Sequence, residues 1–425
     1  MNALNRIASG SKRLRTLASS PRPTVDIPCK YRSLIRGHVI RYMCNSTYED
    51  DSEAEVLGGR ISALRGGTER EELTGEVRQD DPLVGPGKVS VESLLKLAED
   101  YRVCPMTPEI NTTISKKACL VQERFDQALN HTREPQRAPM RLVSSLQRLL
   151  KDTAETTSKF ASKGLKQEAS VLMVKANARN LQELAARHGA VVETMTEIFA
   201  SRTLAYSVDE EALLAALYEE QIALSILIQH GAELSHLKHP HAHGVVRVQE
   251  PVQDILHHAA TLVTALAGHN YSDLELPAIE TSPKAADAHL TCIPGVVEFA
   301  IVEALKNAIY ATMEHNGMEK VVPPVIVEVN EDHQTLCIDI LDAGPGISRT
   351  ASEQACAFAG AASTSGMVDE QTSYQPVSSP LRGFHVGIFL LNRFLSSTNS
   401  GSFSLSNRTD GNDGAVASLR LRKCT

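Results

Sequence analysis

Tryptophan is absent from this 425-residue sequence, and nine phenylalanines and nine tyrosines are all the aromatic side chains it has. Long apolar runs are missing too. None approaches the roughly 18 consecutive residues that a membrane-spanning helix requires, so we expect a soluble chain. A positive excess is also lacking: 43 Lys and Arg stand against 51 Asp and Glu, a net charge of −8. That disfavours nucleic acid as a partner, because neutralising phosphates needs clustered cations on the folded part. The eight cysteines, at 29, 44, 104, 119, 292, 337, 356 and 424, include no Cys-x-x-Cys pair. They fit neither a zinc site nor a small disulfide framework, and we expect free thiols in a reducing compartment. His236, His239, His241 and His243 cluster without an accompanying acid. The Pro and Gly among them mark a loop, and the spacing matches no standard metal site.

Acids are missing from the first 25 positions as well, where Arg6, Lys12, Arg13, Arg15 and Arg22 all precede Asp26. Leu4, Ile7, Leu14 and Leu17 could share one helical face. A basic, amphipathic, acid-poor leader of this kind is expected to be a mitochondrial transit peptide covering residues 1–25, removed on import. Residues 26–88 are expected to form a partly disordered extension or insertion. They carry an acidic run from Glu49 to Glu55 and the glycine pairs Gly58-Gly59 and Gly66-Gly67, a composition poor in material for a core.

From 89 to 270 the pattern is helical with little interruption. Val91 to Tyr101, Ser115 to His131, Met140 to Lys151, Leu165 to His188 and Glu210 to Gly231 each place apolar residues three and four apart, which predicts an antiparallel bundle. Pro251 is expected in the first turn of a further helix, Val252 to Ala267. Residues 271–425 read differently. Leu274 to Leu276 is expected to be a strand, followed by a helix over 294–315, strands near Val325 to Val329 and Thr335 to Leu341, a helix over 386–396, and a closing pair of strands near Ser402 to Leu405 and Ala415 to Leu421. Strands interleaved in this way with helices predict an α/β sandwich with a mixed sheet, and an α+β fold for the whole chain.

Helix 294–315 organises this second half. Ile301, Ala304, Leu305, Ala308 and Thr312 recur at helical spacing, which leaves Glu303, Lys306, Asn307 and Tyr310 for the other face. Glu303 and Asn307, four apart, are stacked neighbours and can meet one ligand together. The strand ending at Leu341 runs into Asp342-Ala343-Gly344-Pro345-Gly346, and Gly383-Phe384-His385-Val386-Gly387-Ile388 opens the next helix.

These pieces resemble the ATP-binding fold shared by gyrase, the heat-shock chaperone, histidine kinases and mismatch-repair ATPases. Within it, the chain resembles the mitochondrial pyruvate dehydrogenase kinases and their branched-chain relatives. The likeness is carried by Leu305-Lys306-Asn307-Ala308, Ala311-Thr312-Met313-Glu314-His315, Pro323-Pro324-Val325-Ile326-Val327 and Pro380-Leu381-x-Gly383-Phe384. It is carried more weakly by Val121-Gln122-Glu123-Arg124, Arg187-His188 and Ile222 to His230 in the bundle. The resemblance implies ATP and Mg²⁺ as cofactors and Glu303 as the base that draws the proton from an attacking hydroxyl. Asn307 would bind Mg²⁺, which takes few protein ligands. Asp342 would accept a hydrogen bond from the adenine amino group, with Gly344 and Gly346 letting the backbone approach the base. Lys306, Tyr310, Gly383, Phe384, His385, Val386, Gly387 and Ile388 would complete the ATP site, the phosphates lying at a helix start. A mobile lid is expected from Ser348 to Arg382.

By the same resemblance, the substrate is a serine on the dehydrogenase component of a 2-oxo-acid dehydrogenase complex in the mitochondrial matrix. A lipoyl domain would be the docking partner, and a homodimer the assembly. The bundle, 89–270, would be regulatory. The motifs do not separate a pyruvate from a branched-chain substrate. A catalytically weak scaffold bound to the complex competes with both: His385, Tyr310 and Ala415 depart from the family's pattern and favour it, whereas Glu303 and Asn307 oppose it. Phe299 stands where the pyruvate dehydrogenase kinases carry a His one turn before the base.

Overall fold

Helix α6 (Val208–Leu234) is the axis of the helical half, and every residue from Glu220 to Ala232 along it is buried. Around it stand α1 (Val91–Val103), α2 (Pro108–His131), α3 (Met140–Gly164), α4 (Val171–His188) and α5 (Val191–Ala200). The computed structural model of the chain describes residues 88–103, 108–131, 140–164, 171–200, 206–234, 242–270, 275–316, 322–347 and 386–424. The expected transit peptide, the extension up to 87, the lid from Ser348 to Arg382, and Gly383, Phe384 and His385 lie outside the described residues.

The bundle is antiparallel. Ser115 Oγ donates to the Ala154 carbonyl and Gln147 Nε2 to Asp126 Oδ1, so α2 and α3 run in opposite directions. Lys117 pairs with Glu220 while Ile110 packs at Gly231, which reverses α6 against α2. Several polar side chains inside this bundle are bonded to one another. Thr153 Oγ1 lies 2.9 Å from His188 Nε2, and Gln221 Nε2 lies 3.4 Å from His188 Nδ1. Burial holds the imidazole neutral, its pKa lowered to about 3. The Lys117–Glu220 pair is 3.0 Å long with both side chains almost fully buried. Removing one partner of such a pair is far more disruptive than its presence is stabilising.

The second half holds β1 (Ala242–His243), β2 (Val246–Pro251), α7 (Val252–Asn270), β3 (Ile279–Thr281), a 3₁₀ turn (Pro283–Ala286), β4 (His289–Cys292) and α8 (Pro294–Asn316). It continues with β5 (Val325–Glu331), β6 (Thr335–Leu341), α9 (Gly387–Ser397), β7 (Gly401–Asn407) and β8 (Ala415–Arg422). Five strands form one sheet in the order β3-β5-β6-β8-β7, parallel between β3 and β5 and antiparallel elsewhere, so the sheet is mixed. Leu336, Ile338 and Ile340 of β6 and Leu419 and Leu421 of β8 turn inward, and Leu305 and Ile301 of α8 are buried with them. Each such side chain contributes about 1.5–3 kcal/mol of burial.

Several details differ from what the sequence predicts. The first strand of this sheet is β3, and Glu275 and Leu276 precede it as irregular backbone. Pro251 closes β2 instead of opening α7, a strand-end position where a missing N–H costs little. A small antiparallel sheet, β1-β2-β4, was not anticipated. The expected helix from Leu165 begins at Val171 among the described residues, and α5 is a separate helix.

Candidate functional site

Helix α8 opens on Pro294, whose fixed φ and absent N–H suit a first helical position. It is apolar on most sides because it is covered by the sheet, by α7 and by α9, with Val296, Ala300, Ile301, Ala304, Leu305 and Ile309 all buried. Lys306 is buried as well, contrary to the open-face expectation. Its Nζ lies 2.7 Å from Glu303 Oε1, so the two form an ion pair with side chains only 11% and 13% exposed. Asn307 is exposed, with no hydrogen bond to its amide among the described residues; Tyr310 is half-buried. Phe299, one turn before Glu303, packs on Phe394 of α9 with ring centroids 4.9 Å apart. The neighbour of the carboxylate on that side is therefore hydrocarbon.

Gly387, the first residue of α9, sits directly on Glu303, and a Cβ there would collide with Oε2. Val386 before it is buried, and Ile388 after it is half-buried. Farther along α8, Ala311 touches Gly344, where a Cβ would come 2.8 Å from the Ala311 Cβ. Glu303, Asn307 and Ala311 are thus a four-residue-spaced stripe running from the start of α9 to the turn after β6. Its length is about 12 Å at helical rise.

That turn is built around Asp342. Oδ1 accepts from the N–H of Gly344 at 2.8 Å and of Ala415 at 3.0 Å, while Oδ2 has no partner among the described residues. Burial raises the Asp342 pKa, and the two amides oppose the shift. Gly414, at φ +127, lies against the Asp342 carbonyl where a side chain would clash, and Gly346 takes φ +77. Both are left-handed conformations that glycine adopts without strain.

Four residues to which the sequence assigned no part in the site hold this turn. Asn316 Nδ2 donates to the Ala343 carbonyl at 2.7 Å, and the Ala343 N–H donates to Thr312 Oγ1 at 3.1 Å. Asn407 accepts from the Ile347 N–H at 2.7 Å and returns a bond to the Ile347 carbonyl at 2.9 Å. Arg408 Nη1 donates to the Asp342 carbonyl at 3.1 Å. The only sequence cue was Asn before a Gly-rich hairpin loop, which by itself signals a turn. Among the described residues, no group of three or more His, Cys, Asp and Glu could hold a metal ion, and no helix is long and apolar enough to cross a membrane.

No model of a known protein family matches the chain. Its sequence is similar to mitochondrial [pyruvate dehydrogenase (acetyl-transferring)] kinase isozyme 1 of Rattus norvegicus and of Mus musculus, each 26% identical over 178 residues. The Homo sapiens protein is 25% identical over 177 residues. Each likeness covers 38% of this chain and 40% of the relative, so it spans less than half the length of these relatives. Among solved structures, two nucleotide-free forms of the catalytic domain of histidine kinase ThkA align at 12% identity, with TM-scores of 0.29 and 0.28. They cover 41% of this chain and 94% and 96% of those chains. The chain is thus distantly related in sequence to a mitochondrial kinase.

Proposed function

We propose that the chain is a mitochondrial protein kinase that uses ATP and Mg²⁺ to phosphorylate a serine on a 2-oxo-acid dehydrogenase, with pyruvate dehydrogenase as the substrate. The observation that carries this reading is the arrangement along one helix. An acidic group sits at the start of α9, an exposed amide oxygen at Asn307 follows one turn on, and an anchored carboxylate with one oxygen free sits at Asp342. Oδ2 of Asp342 suits the exocyclic amine of adenine, since Oδ1 is held by two backbone amides. The Asn307 amide fits a magnesium ion that takes a single neutral protein oxygen and completes its shell with phosphates and water. Magnesium would supply charge neutralisation at the phosphates.

The chain's own residues do the rest. Asp342 and the tight contacts at Gly344 set the base end, and the start of α9 offers its free N–H groups to the phosphates. Lys306 orients the Glu303 carboxylate through Oε1, and Glu303 takes the proton of the attacking serine hydroxyl. Positioning and charge stabilisation account for most of the rate. Residues 1–25 direct import to the matrix, residues 26–88 form an extension, 89–270 act as a regulatory bundle, and 271–425 bind ATP. A lipoyl domain of the complex is the docking partner, and the assembly is a homodimer.

A second reading has a specific observation behind it. Ala415 donates its N–H to Asp342 but has no hydroxyl to offer beside it, and Glu303 is both paired with Lys306 and covered by Gly387. Those features favour a scaffold that binds ATP and turns it over slowly. Incubating the full chain with γ-labelled MgATP and purified 2-oxo-acid dehydrogenase complexes tests the choice. We expect label on serine of the pyruvate dehydrogenase component, reduced by a factor of about 10²–10⁴ in Glu303→Gln. Label on the branched-chain component instead would change the substrate. ATP binding without transfer by wild type would establish the scaffold.

A further inference from the structure

The geometry points to Arg393 as a positioning residue for the nucleotide site, acting through helix α9 and anchored on Glu219 of bundle helix α6. The inference rests on the nucleotide-binding reading of the site but concerns a contact that reading does not use.

Glu219 Oε1 accepts two hydrogen bonds from α9, from Arg393 Nη1 at 2.7 Å and from Ser396 Oγ at 2.8 Å. Arg393 and Ser396 are three apart and lie on one side of the helix. The preceding bundle residue, Tyr218, meets the ring of Phe389 edge-on at 5.4 Å, and the Arg393 guanidinium lies 5.3 Å from the centre of that same ring. Two consecutive residues of α6 therefore grip α9. The rotation of α6 is fixed in turn. Glu220 points the other way to Lys117, and Tyr218 Oη lies 3.2 Å from Thr196 Oγ1 of α5.

The other side of α9 meets the site. Phe394 packs on Phe299, and Gly387 sits on the Glu303 carboxylate with no space for a further atom. Only about 9 Å of continuous helix separates Gly387 from Arg393, so the anchor sets where the start of α9 lies over Glu303. The Arg393 and Glu219 side chains are 27% and 21% exposed, and Arg393 Nε is buried without a partner among the described residues. A partly exposed ion pair contributes little to global stability, which makes it a contact that can open without unfolding the chain. A bundle that pulls on Glu219 would alter nucleotide affinity, and nucleotide would reciprocally tighten the α6–α9 contact.

The test uses the full chain and three variants: Arg393→Ala, Arg393→Lys and the exchange Glu219→Arg with Arg393→Glu. Amide hydrogen exchange without nucleotide is read at 387–391, and MgATP affinity is read by calorimetry. We expect Arg393→Ala to exchange about tenfold faster at 387–391 while β6 and β8 are unchanged, and to bind MgATP about five- to tenfold more weakly. Arg393→Lys and the exchanged pair should restore most of both. Wild-type exchange and affinity in Arg393→Ala would overturn the inference, as would a uniform rise in exchange across sheet and bundle. A wild type that binds no MgATP would overturn the nucleotide reading and this role for Arg393 with it. The exchange data would then still decide whether Arg393 holds the start of α9.

Discussion

Glu298 and Glu303 lie five residues apart on α8 in unlike electrical surroundings. Glu303 has an ammonium at 2.7 Å. Glu298 is buried facing α7, with the His258 ring 3.6 Å away, and burial raises its pKa from the ordinary 4.5 to about 7. Between pH 4.5 and about 7 the unfolded chain gives up this proton while the folded chain keeps it, so this group makes stability fall as pH rises through that window. Glu298→Gln should therefore be more stable than wild type at pH 8, by about 1–2 kcal/mol once the partial exposure of the carboxylate is allowed for, and equal to it at pH 4. Denaturant melts at the two pH values check this. An equal gain at both would mean the carboxylate is not held protonated. Nothing in the sequence distinguishes the two glutamates except their place in the helical repeat, and that repeat does not say which neighbour supplies a cation.

At the scale of elements, the long periodic segments were legible and the short ones were not. The helix expected over 294–315 is Pro294–Asn316, and the strand expected from Thr335 to Leu341 has those bounds. The strand has one buried face, and α8, though covered on most sides, keeps an open stripe through Asn307 and Glu314, so periodicity reports both. By contrast β1 has two residues and β4 four, too short for alternation to show. Helix α6 was found, but its buried Glu220 and Gln221 were not, because a helix packed on all sides has no polar face to read. The clamp on the site's turn was illegible for another reason. Asn407 and Ile347 are 60 residues apart, and their paired bonds exist only once β7 lies beside the turn. Asn407→Ala should loosen that turn at a cost of about 0.5–1.5 kcal/mol and raise exchange of the Ile347 amide. Asn407→Asp, which keeps the acceptor and loses the donor, should fall between. Unchanged Ile347 protection in Asn407→Ala would remove the clamp from the account.

For the whole molecule, the bundle and the sheet meet through α9, and the stripe Glu303, Asn307, Ala311 runs between the start of that helix and the Asp342 turn. In a nucleotide-binding protein this stripe has to seat a nucleotide with an amino-purine base at Asp342. Calorimetry with MgATP and MgGTP on wild type and Asp342→Asn tests it most directly. The Asn keeps an oxygen for the Gly344 and Ala415 amides but presents an NH₂ group where Oδ2 stood. We predict that wild type binds MgATP and discriminates against MgGTP, and that Asp342→Asn loses about ten- to hundredfold in MgATP affinity with its melting temperature little changed. Equal affinity for the two nucleotides, or MgATP binding undiminished in Asp342→Asn, would contradict the account.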